Sequence, residues 1–456
     1  MLTSCATPEA AINRLIELYD SAAAKARSAL STGEAYEGVV YPKLVVDVTD
    51  WHPIDRTAAY GYVDQVGRYS AVLSRPRLMR AYLLDMLTAL TENYPCEISV
   101  GPSDVSIAPE YIDDAPPAAG RTDVPKPSLD DVDDAIVDSV WSAFHGAERP
   151  LFYFSPQRFD IACRRIEHYT GIPVDTVQKY ILFTNYSMHT SEFVRYARAE
   201  LGRPGSRYTE LCLPNGARVS APGDEFDVAS NHQMPRFDLC TKAGNGITMI
   251  NIGVGPSNAK TVTDCLAVLR PECWVMIGHC AGLDSRMRIG DLILGNAYQR
   301  RDQILDDRIA LDIPIPAVPE VQRTLEASVN AVYGDHQELI RTGTVLSTDD
   351  RNWEWRTDAD LWRILRGSTA VAVDMESAAL ATNGYRYRVP YGTLLSVSDL
   401  PLHAVPKLPA GAQAFYSSSK EAHVMCAVRA VETLAATPEK LHTRKLRRTI
   451  GEVPFR

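Results

Sequence analysis

The sequence lacks the patterns that mark several common classes of protein. None of its nine cysteines belongs to a C-x-x-C pair, so we expect reduced thiols rather than a disulfide framework or a zinc site. No apolar run is long enough to cross a membrane. Charged residues such as Glu9, Arg14 and Glu17 interrupt any signal-peptide core. These absences predict a cytoplasmic protein with no membrane partner and no metal site.

The sequence also lacks a net positive charge and the common nucleotide-binding fingerprints. The formal net charge is -10, which argues against a nucleic-acid partner held by phosphate contacts. Gly253 and Gly255 lie between a strand-like run and a helix that contains Ser257. They lack the G-x-G-x-x-G spacing of a dinucleotide site and the G-K-[ST] of a P-loop. A plain turn is the safer interpretation, although such glycines and a helix start would let an anion approach the backbone.

The length of 456 residues predicts two domains. Residues 1–174 alternate helical and strand patterns, and they show no catalytic signature. The predicted elements are helices at 8–30, 77–90 and 159–169, strands at 39–48, 96–100 and 151–154, and a proline-rich acidic loop at 103–134. We therefore predict an α+β domain with a regulatory or oligomerisation role.

Residues 175–456 repeat the order strand, turn, helix. From residue 247 onward this order predicts a mixed or mostly parallel sheet flanked by helices. The Asn215-Gly216 dipeptide between two strand-like runs predicts a hairpin. The basic segment at 441–456 is typical of a solvated tail, and packing on a neighbouring subunit is an alternative. This second region is the predicted catalytic domain.

Residues 370–403 carry the clearest chemical pattern. A strand at 371–373 leads into a helix predicted to begin at Asp374 and stop at Gly384, and a second strand follows at 392–397. Glu376 lies at the first junction, and Ser398 and Asp399 end the second strand. Ligands of open α/β sheets bind beyond the carboxyl ends of strands. Either carboxylate alone could be a cap or turn residue, but the pair suits cleavage of a glycosidic bond through an oxocarbenium-like state.

The motifs around Glu376 and Asp399 resemble those of a known superfamily. D-M-E-S after one strand and S-D after the next resemble the nucleoside phosphorylase superfamily. The runs NIGVGPSNAKT, MIGHCAGL, TDDRNWE and YRYRVPYGTLLSVSD are similar to those of the AMP nucleosidase family within it. The resemblance implies a nucleoside phosphorylase-like mixed sheet flanked by helices in the second domain.

The same resemblance implies hydrolysis of AMP to adenine and ribose 5-phosphate. It gives Asp399 the role of general acid on adenine N7 and Glu376 the role of ribose ligand, with Met375 beside the sugar. Arg351, Asn352 and Trp353 would frame the base, although an ordinary core role for Trp353 is an equal alternative. The other residues that we predict to contact substrate are Gly253, Gly255, Ser257, His279, Ser398, His403 and Lys407.

The sequence also departs from the phosphorylases. Those enzymes hold phosphate with an arginine and a serine around R-x-G-S, whereas Met276-Ile277-Gly278-His279 stands at this position. Thr184-Asn185-Tyr186 stands in place of their G-D-P-x-R loop. Losing two arginines favours water as nucleophile. His279 is a candidate for activating that water, and a structural histidine is an equal alternative. Arg351, His403 and Lys407 are candidates for binding the 5′-phosphate, and a lysine or arginine of another subunit is an alternative. For each of the three alone, a solvated surface role is the safer interpretation.

The resemblance further implies a homohexamer that ATP activates and phosphate inhibits. It implies no required cofactor, although magnesium could accompany ATP. Two alternatives stay open at this point. A phosphate-dependent purine nucleoside or nucleotide phosphorylase would form a sugar 1-phosphate, and a non-catalytic nucleotide sensor would bind without turnover.

Overall fold

The computed structural model describes residues 1–456 except 56, 113–120, 131, 140–147, 225–229, 335–336, 404, 406–408, 444–445 and 447–451. The chain divides into two compact units. The first comprises Met1–Arg165, Val268–Arg270 and His442–Arg456, and the second comprises Ile166–Ala267 and Pro271–Leu441. The division therefore comes at Arg165, somewhat before the boundary at residue 174 that the sequence suggested.

The first unit is built on a five-stranded sheet with the strand order β1-β4-β2-β3-β5. Its elements are β1 Thr3–Cys5, α1 Pro8–Thr32, β2 Val40–Val48, β3 Gly67–Val72, α2 Arg80–Asn93, β4 Cys96–Ser106, α3 Pro109–Ile112, β5 Glu148–Pro150 and α4 Pro156–Thr170, which continues into the second unit. The Thr7 hydroxyl caps the start of α1, and Gly33 ends it with a φ of 76°. The α+β architecture predicted for this region is confirmed.

The described end of the chain contradicts the prediction of a solvated tail. Phe455 is only 1% exposed and packs edge-on against Tyr82 of α2. The carbonyl of Arg456 accepts hydrogen bonds from the Tyr82 hydroxyl at 2.5 Å and from Nε of Arg270 at 3.0 Å. The prediction weighed the basic residues of the segment, whereas an apolar side chain at its end decides where it packs.

The second unit contains an eleven-stranded mixed sheet, which confirms the predicted fold class. Its strands are β6 Tyr180–Thr184, β7 Tyr208–Cys212, β8 Arg218–Val219, β9 Arg236–Thr241, β10 Ile247–Asn251, β11 Cys273–Gly282, β12 Leu292–Arg301, β13 Ile315–Pro316, β14 Ile340–Thr348, β15 Ala370–Asp374 and β16 Tyr391–Asp399. Its main helices are α5 Ser187–Leu201, α6 Pro256–Leu266, α7 Pro319–Tyr333, α8 Asp358–Leu365, α9 Ser377–Tyr387 and α10 Pro409–Ala436.

The strand order places β11 at the centre of this sheet. The order is β13-β12-β14-β15-β11-β6-β10-β9-β7-β8, and β16 pairs with both β11 and β12. All ten residues of β11 are buried, as expected for a strand covered on both faces. The Asn215-Gly216 hairpin is confirmed, because β7 and β8 pair antiparallel and Gly216 has a φ of 81°.

Several local predictions were wrong. The strand expected at 151–154 lies instead at Glu148–Pro150, and the loop expected from residue 103 begins inside β4, which continues to Ser106. Helix α9 begins at Ser377 rather than Asp374, and it does not stop at Gly384 but continues to Tyr387. Packing explains why this position has no side chain, since a Cβ on Gly384 would lie 2.3 Å from the Tyr391 ring. Among the described residues, no helix combines the length and apolar character of a membrane span.

Candidate functional site

The ends of three neighbouring strands bring the two predicted carboxylates to one edge of the sheet. Ala281 of β11 pairs with Val373 of β15 on one side and with Asp399 of β16 on the other. Because paired strands lie about 4.8 Å apart, the backbones of Val373 and Asp399 are separated by about 10 Å. Glu376 follows Val373 by one short turn. Both carboxylates therefore follow strands that end at the same edge of the sheet, as a shared crevice would require.

Glu376 is almost completely buried, and both of its carboxylate oxygens are hydrogen-bonded. Oε1 accepts from the backbone N–H of Gly255 at 2.6 Å, and Oε2 accepts from Nδ2 of Asn185 at 3.3 Å. Burial, followed by the negative charge of Asp374, raises the pKa of Glu376 above its ordinary value, although both hydrogen bonds oppose this shift. The side chain is therefore held in one orientation but pays a desolvation cost when it ionises.

Asp374 and Ser377 of the D-M-E-S run build the turn that presents Glu376. The Asp374 carboxylate accepts from the backbone N–H of Ser377 at 2.9 Å and from the hydroxyls of Ser377 and Ser347. The Ser347 hydroxyl accepts in turn from the backbone N–H of Ala378 at 2.8 Å. These bonds satisfy the first N–H groups of α9. The sequence pattern did not reveal this structural role of Asp374 and Ser347.

The glycine-rich turn between β10 and α6 has a specific function in the site. Gly253 and Gly255 have φ values of 68° and 116°, in the region that favours glycine. This conformation directs the N–H of Gly255 at Glu376. Ser257 lies exposed in the first turn of α6.

Asp399 is positioned by its neighbour Ser398. The Ser398 hydroxyl donates to Oδ1 of Asp399 at 2.5 Å and also lies 3.3 Å from the carbonyl of Cys280. The register between β11 and β16 shifts at this point, since Cys280 pairs with Val397 and Ala281 with Asp399. Ser398 is therefore the extra residue of a bulge, a feature that re-aims the following side chain. Asp399 itself is 8% exposed.

The loop after β14 reaches the same edge, because Ser347 of β14 pairs with Asp374. Trp353 in this loop is half-buried and packs against Ala281, Leu346 and Val373. It also lines a cavity of about 150 Å³. Trp353 is thus at the margin of the core, next to the residue that pairs with Asp399.

The remaining predicted residues lie around this edge with fewer contacts. Arg351 and Asn352 are exposed in the loop after β14. His403 is exposed, and its Nε2 lies 3.0 Å from the carbonyl of Leu283, just after β11. Met375 is half-buried in the turn before α9. Lys407 lies outside the described residues.

His279 of β11 lies in a cluster of aromatic and imidazole rings. Its ring meets the Tyr186 ring edge-on at 4.4 Å and lies 5.3 Å from His189 of α5 and 6.1 Å from His423 of α10. Burial lowers the pKa of His423 to about 4 and moves that of His189 well below its ordinary value. Sequence reasoning found His279 but missed His189 and His423, because no short motif joins residues so far apart in the chain.

Comparison with known proteins agrees with these features. Residues 10–148 match the family model described as "Bacterial AMP nucleoside phosphorylase N-terminus", and residues 216–435 match the "Phosphorylase superfamily". The AMP nucleosidase of Escherichia coli strain K12 is 42% identical over 482 aligned residues, which cover 99% of this chain and 98% of that protein. The 5′-methylthioadenosine/S-adenosylhomocysteine nucleosidase of Bacillus licheniformis is 24% identical and covers 34% of this chain and 69% of its own.

Among solved structures, an AMP nucleosidase from Bacteroides thetaiotaomicron is 26% identical, with a TM-score of 0.46. The aligned part covers 60% of this chain and 97% of that structure. The full-length match to the Escherichia coli protein and the two family models together decide the assignment. The chain belongs to the AMP nucleosidase family of N-glycosyl hydrolases, within the phosphorylase superfamily.

Proposed function

We propose that this protein hydrolyses the N-glycosidic bond of AMP, giving adenine and ribose 5-phosphate. The observation that carries the proposal is the buried Glu376, held by Gly255 and Asn185, with Asp399 at a neighbouring strand end. The full-length relationship to the Escherichia coli AMP nucleosidase supports AMP as the substrate.

Glu376 binds the ribose 2′ and 3′ hydroxyls in this proposal. In its ionised form the Glu376 carboxylate is an acceptor only, so it can receive both hydroxyl hydrogens of a diol. These hydrogen bonds and the positive charge on the sugar favour the ionised form against the raised pKa of Glu376. The Gly255 N–H and the Asn185 amide hold the group in place from the protein side. As the glycosidic bond breaks, positive charge grows on the sugar, and a buried negative charge nearby stabilises it more than water would. Met375, in the same turn, lies beside the sugar.

Asp399 acts as the general acid. The bond between C1′ and N9 breaks with its electron pair going to the base, and a proton from Asp399 is transferred to N7. A water molecule adds to C1′ and loses a proton to the solvent, and Asp399 takes up a proton from the solvent, which restores the acid and the charge balance. The Ser398 hydroxyl donates to Oδ1 at 2.5 Å, so this oxygen is an acceptor and the transferable proton resides on Oδ2.

The surroundings of β11 favour water over phosphate as the nucleophile. Met276 stands at the position where the phosphorylases carry an arginine. It is 1% exposed and pairs with Phe183 of β6. An apolar side chain at this position gives no charge to hold a phosphate dianion. The phosphorylase alternative therefore loses its main requirement, and the sensor alternative does not account for a poised pair of carboxylates.

The remaining roles are proposed from their places at the sheet edge. Trp353, with Arg351 and Asn352, frames the adenine, and Ser257 and the glycine turn lie on the sugar side. Arg351 and His403 are exposed cationic or ionisable groups that can bind the 5′-phosphate, and Lys407 is a further candidate from the sequence. The family resemblance also supports a cytoplasmic homohexamer in which the N-terminal domain mediates activation by ATP and inhibition by phosphate.

Adenine release from AMP, measured with and without phosphate, tests this function. Adenine and ribose 5-phosphate in phosphate-free buffer would establish hydrolysis. Formation of ribose 1,5-bisphosphate only when phosphate is added would make the protein a phosphorylase. Nucleotide binding with no adenine in either buffer, even after ATP is added, would favour the sensor.

A further inference from the structure

Three buried histidines from three different elements converge beside β11. His189 lies in α5, His279 in β11 and His423 in α10, and all three are buried. One ring nitrogen from each lies within 4.8 Å of those from the other two. A neutral imidazole carries one ring-nitrogen lone pair, which is the form that binds a metal ion.

The hydrogen bonds on the far side of the cluster orient two of the rings. Nε2 of His423 lies 2.9 Å from the carbonyl of Leu394. A carbonyl only accepts, so Nε2 carries the hydrogen and Nδ1 carries the lone pair. Nδ1 of His189 lies 2.8 Å from the Thr184 hydroxyl, which leaves Nε2 for the interior of the cluster. A second hydrogen bond that fixes the tautomer and orientation of the ring is the usual arrangement around metal-binding histidines.

The inward nitrogens of these two rings are unpaired. Within the described part of the chain, neither Nε2 of His189 nor Nδ1 of His423 has a hydrogen-bond partner. The two side chains are 0% and 1% exposed. Buried polar atoms are almost always satisfied, and those that are not call for a ligand, an ion or a functional reason. A histidine that only fills the core would be expected to bond through both nitrogens.

The spacing of the rings fits a tetrahedral ion. Zinc binds imidazole nitrogens at about 2.0 Å, which places the centroids of two ligand rings about 5 Å apart. The observed centroid separations are 5.2 Å for His189 and His423, 5.3 Å for His189 and His279, and 6.1 Å for His279 and His423. Small ring movements would bring all three nitrogens to one centre.

We propose that His189, His279 and His423 bind one divalent transition-metal ion of the zinc type. Imidazole is a preferred ligand of such ions, and three protein ligands leave a fourth position for water. The proposal runs against the expectation from sequence that the chain has no metal site. The sequence could not reveal the cluster because its members lie in three separate elements.

The cluster lies on the face of β11 opposite to Asn185, the residue that donates to Glu376. A Cβ on Gly278 would lie 3.2 Å from Oδ1 of Asn185, so Asn185 lies on the Gly278 face. His279 is the next residue of the strand and points to the other face, where its ring meets that of Tyr186 at 4.4 Å. A bound ion would therefore join α5, β11 and α10 rather than supply hydroxide for attack on C1′. Binding of the ion does not depend on the proposed function.

Cobalt(II) binding to the chelator-treated full-length protein tests the site without using activity. We expect one ion per chain, with the strong visible absorption of four-coordinate cobalt and displacement by zinc. His189→Gln and His423→Gln should each weaken binding at least about tenfold. His168→Gln, a change at an exposed histidine outside the cluster, should leave binding unaltered.

Three outcomes would overturn the proposal. They are no stoichiometric cobalt on the wild-type protein, a weak six-coordinate spectrum, or equal affinity in the folded cluster variants and the wild type. The wild-type spectrum decides the question even if a variant does not fold. Metal binding without hydrolysis of AMP would keep the site and reject the proposed reaction.

Discussion

The backbone N–H of Gly255 donates to Oε1 of Glu376 at 2.6 Å, across 121 residues of sequence. The bond joins the glycine turn after β10 to the turn before α9. It explains why Gly255 adopts a φ of 116°, since a residue with a side chain is strained in this region. Gly255 thus binds the protein's own carboxylate, in addition to any contact with substrate.

Replacing Glu376 by glutamine tests its role as ribose ligand. The amide keeps the size of the side chain, but it presents an NH₂ in place of an oxygen that accepts hydrogen bonds from the protein and, in the proposal, from the ribose hydroxyls. Charge-assisted bonds contribute about 1.5–3 kcal/mol each, so we expect kcat/KM for AMP to fall by about 10²-fold or more. Steady-state kinetics on the folded variant would measure this, with the exposed Glu354→Gln as matched control. Equal losses in the two variants would contradict the role.

Asp399→Asn removes the proposed acid with little change in shape. The Ser398 hydroxyl can still donate to Oδ1 of the asparagine, so the bulge at the end of β16 should persist. We expect kcat to fall by about 10²- to 10⁴-fold, the usual contribution of general acid catalysis, while the circular dichroism spectrum is unchanged. Asp307→Asn, at an exposed carboxylate, is the control. Wild-type turnover in D399N would exclude Asp399 as the acid.

Asp302, just after β12, makes the stability of the protein depend on pH. Burial, and then repulsion from Asp374 and Asp306, raises its pKa from 3.8 to about 6 in the folded state. A carboxyl whose pKa is raised on folding favours the native state below its unfolded pKa, and this contribution is lost as pH rises through about 6. We expect Asp302→Asn to be nearly neutral near pH 4 and to stabilise by about 3 kcal/mol above pH 7.

Denaturant unfolding of this variant and the wild type between pH 4 and pH 8 would measure the difference. Asp307→Asn serves again as control, because it removes a carboxylate that is 74% exposed. A constant difference between D302N and the wild type across this range would contradict the assignment.

Gly384→Ala tests why α9 contains a glycine in its interior. Helix propensity alone would favour alanine by about 1 kcal/mol. The new Cβ, however, would lie 2.3 Å from Cδ1 of Tyr391 and 2.9 Å from the carbonyl of Val389. We expect the packing cost to prevail and to lower the free energy of unfolding by about 1–3 kcal/mol.

Thermal and denaturant unfolding would show the effect of Gly384→Ala. Gly367→Ala is its matched control, since a Cβ at that position meets no atom within 4 Å. A gain in stability for G384A would mean that Tyr391 moves aside at little cost and that propensity decides.

The sequence predicted the parts of the candidate site that depend on local pattern. Runs of apolar residues located β15 and β16, and the residues following them located Glu376 and Asp399. It did not predict the bulge at Ser398, because the extra residue is defined only by the partner strand β11. The prediction that Gly384 ends the helix was likewise wrong, because the contact of Gly384 with Tyr391 joins two different elements and is not visible in local sequence.

By itself the sequence determined the fold class, the family of the protein and the choice of Glu376 and Asp399 as candidate site residues, because periodicity and motifs are properties of neighbouring residues. Tertiary structure alone decided that Asn185 and Gly255 hold Glu376 and that Asp374 caps α9. It also decided that His189, His279 and His423 meet. Strand order sets these contacts, and the energy of packing the whole sheet fixes that order.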